Sequence, residues 1–264
     1  MMSAPCVVWG IPIMTDRRVS FQPAFVLHHK PYRETSLLLE VITPQHGRTG
    51  LVVRGARGRN SRLRALLQPF RPLLLSWSGR GELHALTDAE GNGPSASLQG
   101  RTLYSGYYVN ELMMCLLHRG VASAELYDSY VDVLNSLSVT GDDLAALESV
   151  LRFFELDLLA ALGYGLSLEQ CADDGTAVLP GVVYRYIPDH GPVSQPAGNG
   201  LAVSGDTLLA LSARNLPDSQ HRQEAKQLLR AMLRVHLGDK PLHSRELMRQ
   251  SLLHPPKPAA IDGV

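Results

Sequence analysis

The chain has 264 residues, of which 45% are hydrophobic and 19% charged, and its formal net charge is zero. That composition supplies packed cores and excludes a mainly disordered chain, and the lack of any run of eighteen apolar residues excludes a membrane-spanning helix. The zero is a sum of unlike parts: residues 1–80 carry a net +9, residues 81–221 a net −13, and residues 222–264 a net +4. A basic head of this kind suits a polyanionic partner.

In chain order, Met1 to Met14 is mildly apolar, and its basic pair Arg17–Arg18 follows the apolar run. A secretory signal carries its charge first, so no export signal is expected. Short strands come next. Ser20–His29 alternates loosely, Thr35–Thr43 is a buried apolar run, and Arg48–Arg54 ends at Gly55. Pro69–Trp77 contains Pro72, which predicts an edge or a bulge, and Glu82–Thr87 is the fifth strand. Ser61–Gln68 has leucines at helical spacing between the third and fourth strands. Five short strands with that helix match an OB-fold, a barrel that binds oligonucleotides, with an SH3-like barrel as the competitor.

Gly91–Gly100 reads as a linker. Helices are then expected at Leu103–Leu117, Ala122–Leu137, Asp142–Leu162, Asp206–Ala213 and Ser219–Leu237. Between Gly163 and Gly205 lies an irregular stretch with a candidate strand at Val182–Ile187. The expected class is α+β: an extension over 1–19, an OB-fold over 20–98, and a mainly α-helical domain over 99–264 with an irregular insertion at 165–205.

Catalytic signatures are missing. There is no Walker A, G-x-G-x-x-G, H-E-x-x-H, G-x-S-x-G or kinase motif. Cys6, Cys115 and Cys171 lie far apart, so no disulfide framework or Cys-x-x-Cys site forms, and a reducing cytoplasm is expected. Cys171 with Asp173 and Asp174 offers a single thiolate, a poor metal site.

The positive signal is arginine. Between Glu40 and Glu82 there is no acid, while Arg48, Arg54, Arg57, Arg59, Arg62, Arg64, Arg71 and Arg80 all fall in that window. Glycines let a backbone approach phosphates closely and arginines neutralise them. With Arg33, these are the candidate nucleic-acid contacts. Phe70 and Trp77 are candidate stacking faces for unpaired bases, the alternative being core aromatics. A second basic path runs through Arg222, Lys226, Arg230 and Arg234, four residues apart on one expected helix face, and on to Lys240, Arg245 and Arg249. Its alternative is a solvated face.

Several segments then carry a resemblance: YRETSLLLEV, HGR, RGAR, LQPFRPLL and GRGEL in the head, and later LYSGYYVNEL (103–112), LRFFELDLLAALGYG (151–165) and GDKPLHSREL (238–247). Over about residues 20–250 the chain resembles the RecO family of bacterial recombination mediators. The resemblance implies an OB-fold and a helical domain, and no enzyme. It implies binding of single- and double-stranded DNA, annealing of complementary strands, and help in loading the RecA recombinase on strands coated by single-stranded-DNA-binding protein (SSB). Implied partners are RecR and the acidic C-terminal tail of SSB, and the implied location is the nucleoid. Many relatives carry a four-cysteine zinc site in the 165–205 region; here Cys171 and His190 are the residual ligand types, so neither zinc nor another cofactor is expected. Arg152, matching the arginine of the LR-x-FEL motif, is the candidate partner of the tail's carboxylate, with Leu156 and Leu159 as pocket walls. The alternative is an arginine paired with Glu148 or Glu155. Two other readings stay open: a module for structured RNA, and a metal-dependent nuclease.

Overall fold

The computed structural model describes residues 18–58, 62–194, 200–238, 240–244 and 246–247. Arg59, Arg245 and Arg249, and most of the extension, lie outside the described residues.

Strands β1 (Arg18–Tyr32), β2 (Ser36–Thr43), β3 (Gly47–Val53), β4 (Leu73–Ser78) and β5 (Leu83–Gly91) close into a barrel in the order β1-β2-β3-β5-β4. Helix α1 (Arg62–Leu66) lies between β3 and β4. One long strand closes the ring: the first part of β1 pairs with β4 and the second part with β2. The β3–β5 pairing is parallel and the others are antiparallel. This is the five-stranded OB arrangement expected from the spacing of the strands.

Alternation explains the sequence pattern. On β1, Ala24 and Val26 enter the barrel core, while Phe25 and Leu27 join a second core outside it. On β2, Leu37, Leu39 and Val41 point inward and Ile42 outward. Every residue of β2 is buried, which is why its sequence reads as a continuous apolar run rather than an alternating one. Pro72 lies just before β4, where its carbonyl accepts the Asn92 N–H at 2.9 Å. β5 runs past Thr87 to Gly91 because Leu73 to Ser76 pair with Asp88 to Gly91.

The second core belongs to the helices α2 (Gly100–Leu116), α3 (Ala124–Thr140), α4 (Leu144–Ala161), α5 (Gly205–Ser212) and α6 (Ser219–Leu237). Ser123, Asp143, Ser204 and Asp218 cap α3, α4, α5 and α6 by accepting backbone N–H groups. The 165–205 stretch holds a small sheet of β6 (Val183–Ile187), β7 (Gly191–Val193) and β8 (Leu201–Ser204), ordered β7-β6-β8. Among the described residues no helix is long and apolar enough to cross a membrane.

The barrel is joined to the helices by buried polar contacts as well as by apolar packing. Asn110 donates to the Leu27 carbonyl at 2.9 Å and accepts from the Tyr130 hydroxyl at 2.7 Å. Phe25 meets the Tyr130 ring edge-on at 5.3 Å between centroids. Gly47 sits at φ +60, and a Cβ there would stand 2.0 Å from the Val121 carbonyl oxygen. Gly47→Ala is therefore expected to destabilise the protein. The left-handed backbone alone costs about 1–2 kcal/mol, and the clash adds to it. A thermal melt matching that of the wild type would contradict this close approach.

Candidate nucleic-acid interface

The turn after β1 and the segment after β3 meet at one end of the barrel. The Arg57 guanidinium donates to the Arg33 carbonyl at 3.0 Å and to the Glu34 carbonyl at 2.9 Å, and its backbone N–H reaches the Thr35 carbonyl at 3.1 Å. Arg33 holds φ +53 with its guanidinium over the Tyr32 ring. Arg54 is exposed directly after β3, and Arg62 and Arg64 are exposed on α1. Arg57 thus ties the Arg33 turn to the segment after β3 that begins with the exposed Arg54, so that the three arginines share one basic loop region, with α1 following it in the chain. Arg80 is exposed on a separate turn between Gly79 and Gly81. Arg71 is half-buried, with its Nε shut away from solvent and from any hydrogen-bond acceptor among the described residues.

Three expected DNA contacts are corrected. Phe70 and Trp77 are only 5% and 3% exposed, so neither offers a face to a base. Phe70 belongs to the helical core against Tyr107, and Trp77 to the barrel core against His46. Arg48 faces the helices: it pairs with Glu40 at 2.9 Å and donates to the carbonyls of Met114 (2.7 Å) and Leu117 (2.9 Å). Glu40 also pairs with Arg119. Burial pushes the Glu40 carboxyl up, but hydrogen bonds from Arg119 and Arg48 outweigh it and hold the group below the usual value. A lone acid inside TSLLLEVIT was the sequence signal for this clamp.

The second path divides. Lys226 pairs with Glu148 at 3.0 Å, and Arg222 sits 3.9 Å from the same carboxylate and donates to the Leu216 carbonyl. Arg230, Arg234 and Lys240 are exposed around a surface cavity of about 360 Å³ floored by Leu233, Leu237 and Leu242. The far half of the stripe is therefore the part open to an anion.

Arg152 is corrected too. It is 7% exposed and pairs with Glu155 at 2.6 Å, and the Tyr108 hydroxyl donates to the same carboxylate oxygen at 2.6 Å. Leu159 is fully buried and Leu156 half-buried against the core. A guanidinium already neutralised inside a core is no receptor for a peptide carboxylate, and Leu159 walls no open pocket. The i,i+3 spacing of Arg152 and Glu155 was the available signal.

Cys171, Asp173 and Asp174 place their ligand atoms within 4.8 Å of one another. Asp174 accepts from Thr176, and Asp173 from Ser194. One thiolate and two already engaged carboxylates do not fit a structural zinc, which takes about four thiolate or imidazole ligands.

A closed OB-type barrel with exposed arginines on its loops, clamped to a helical region, defines a barrel-and-helix class of protein. The family model "Recombination protein O N terminal" matches residues 19–94, and "Recombination protein O C terminal" matches residues 98–246. The chain belongs to the recombination protein O family. It is similar to a protein named DNA repair protein RecO in Methylococcus capsulatus, 48% identical over 89% of this chain and 95% of the relative. Proteins of the same name in Thiobacillus denitrificans and Yersinia pestis are each 43% identical, over 91% and 89% of this chain and 96% and 97% of theirs.

Proposed function

We propose that this chain is a non-enzymatic mediator of recombination in DNA repair. It binds single- and double-stranded DNA, anneals complementary strands and helps place RecA on SSB-coated single strands, with RecR and the acidic SSB tail as partners, in the cytoplasm at the nucleoid. The observation that carries the reading is the loop cluster of Arg33, Arg54 and Arg57 at one end of an OB barrel, set on a head of net +9. Guanidinium forks suit phosphate oxygens, and a surplus of exposed cations gains affinity by releasing counterions. Membership of a family whose curated relatives are named for DNA repair supports the same reading. The two family matches, 19–94 and 98–246, support a DNA-binding domain over 20–98 and a helical domain over 99–264. The exposed cations Arg230, Arg234 and Lys240 extend the DNA path onto the helical part.

The test is annealing of complementary strands, bare and SSB-coated. The protein is expected to accelerate both without consuming nucleotide or cutting DNA. Failure to accelerate either, or metal-dependent cleavage of labelled DNA, would overturn the proposal.

A charge test separates the two halves of the α6 stripe. Arg230→Glu with Arg234→Glu is expected to weaken duplex binding severalfold, whereas Lys226→Gln, at a position already neutralised by Glu148, is expected to change it little. Equal losses from both variants would contradict the division.

A further inference from the structure

With Phe70 and Trp77 in the cores, the large exposed aromatic of the barrel among the described residues is Phe21. It is 55% exposed and belongs to neither apolar core. Its backbone is at φ +49, in the left-handed region that a bulky residue rarely enters. Two irregularities of the sheet meet here. The β1–β4 register shifts between Val19 and Gln22, and the β4–β5 register shifts between Ser76 and Trp77. At the junction the Phe21 N–H donates to the Ser76 hydroxyl at 3.0 Å, a side chain itself 6% exposed. A strained backbone persists only where its surroundings dictate it, and a bulge is a device for re-aiming a side chain. Here the outcome of the strain is a phenyl ring held in water, the reverse of what burial would favour for that ring.

The charges beside it fit one ligand. Arg18, three residues earlier, pairs with Ser78, and from Ser78 departs the turn that carries Arg80. Both arginines are exposed and enter no ion pair among the described residues. Asp88, opposite Ser76 on β5, disfavours a phosphate on that side and leaves the Arg18–Arg80 side open.

Building on the DNA-binding reading above, we propose that Phe21 is a stacking platform for an unpaired base, with Arg18 and Arg80 meeting the flanking phosphates. Every base offers a flat face to a ring, so the contact is indifferent to sequence. Bases inside a duplex are already stacked and have no face to give. Phe21 therefore favours single strands over duplex.

Equilibrium binding by fluorescence anisotropy tests this with three DNAs: an oligo(dT) strand, an abasic strand of the same length, and a duplex. Phe21→Ala is expected to bind oligo(dT) about five- to a hundredfold more weakly than the wild type. Its affinities for the abasic strand and for the duplex should match those of the wild type, and Phe21→Trp should keep the preference for oligo(dT). Phe21→Gly is the folding control: it relieves the φ +49 conformation, so its melting temperature should equal or exceed that of the wild type while its oligo(dT) binding falls like that of the alanine variant. Unchanged oligo(dT) affinity in Phe21→Ala, or an equal loss on the abasic strand, would overturn the platform alone. A lowered melting temperature in Phe21→Gly with unchanged binding would make the ring a packing group. A wild type that binds none of the three DNAs would overturn the DNA-binding reading and the platform with it.

Discussion

Replacing Glu40 with alanine is expected to cost up to about 3–5 kcal/mol of stability, because it removes the buried carboxylate that neutralises the half-buried Arg48 and Arg119. Glu40 is 5% exposed on β2 and neutralises both Arg48 of β3 and Arg119, which follows α2. Arg48 would keep only carbonyl partners, those of Met114 and Leu117. For a chain of this length such a loss corresponds to a fall of roughly 6–20 °C in melting temperature. Glu40→Gln, which keeps one acceptor and the volume, should cost less. The pH dependence follows from the lowered pKa of Glu40. A carboxyl held below its unfolded value contributes stability that is fully present above that unfolded value. The contribution is lost as pH falls through the depressed one. Wild-type stability should therefore fall on acidification below the ordinary glutamate range, and Glu40→Gln should lack that part of the fall. A melting temperature unchanged in Glu40→Ala would show that the ion triad does not join barrel to helices.

The second large effect lies at Arg152 and Glu155. Both are nearly closed to solvent, and the Nε of Arg152 and the Oε2 of Glu155 are buried without a hydrogen-bond partner among the described residues. The pair is thus held by a single close contact, with the Tyr108 hydroxyl as a third member. Removing one member strands the other charge in a core. Arg152→Ala and Glu155→Ala are each expected to cost about 3–5 kcal/mol, while the paired change Arg152→Met with Glu155→Leu should be near neutral. Chemical denaturation of the three variants measures this. A stable Arg152→Ala that loses only affinity for an acidic peptide would restore the receptor role that the burial argues against.

Most of the fold was legible because strand and helix periods were intact. The apolar run of β2, the leucines of α1 and α4, and the glycines after α4 and α6 (Gly163 and Gly238) marked their elements. β7 and β8 were missed because three- and four-residue strands beside Gly191, Pro192 and Gly200 leave no period to read. The site was legible in charge and not in orientation. Arg48 and Arg54 look alike in RTGLVVR, yet β3 aims Arg48 at the helices and ends before Arg54, which stays exposed. Phe70 and Trp77 sit among arginines in sequence, but alternation and the second core bury them. Phe21 was hidden for the opposite reason: a bulge breaks the alternation that would otherwise have assigned its side.

The central claim is that the loop cluster around Arg33, Arg54 and Arg57 holds DNA by its phosphates. The slope of log affinity against log salt for a single-stranded oligonucleotide tests it most directly. About four to seven phosphate contacts predict a slope of roughly −3 to −5 for the wild type. Arg54→Glu with Arg57→Glu should flatten it by about one to two and lower the affinity, with the fold intact. A slope and affinity equal to those of the wild type in a folded double variant would contradict the claim.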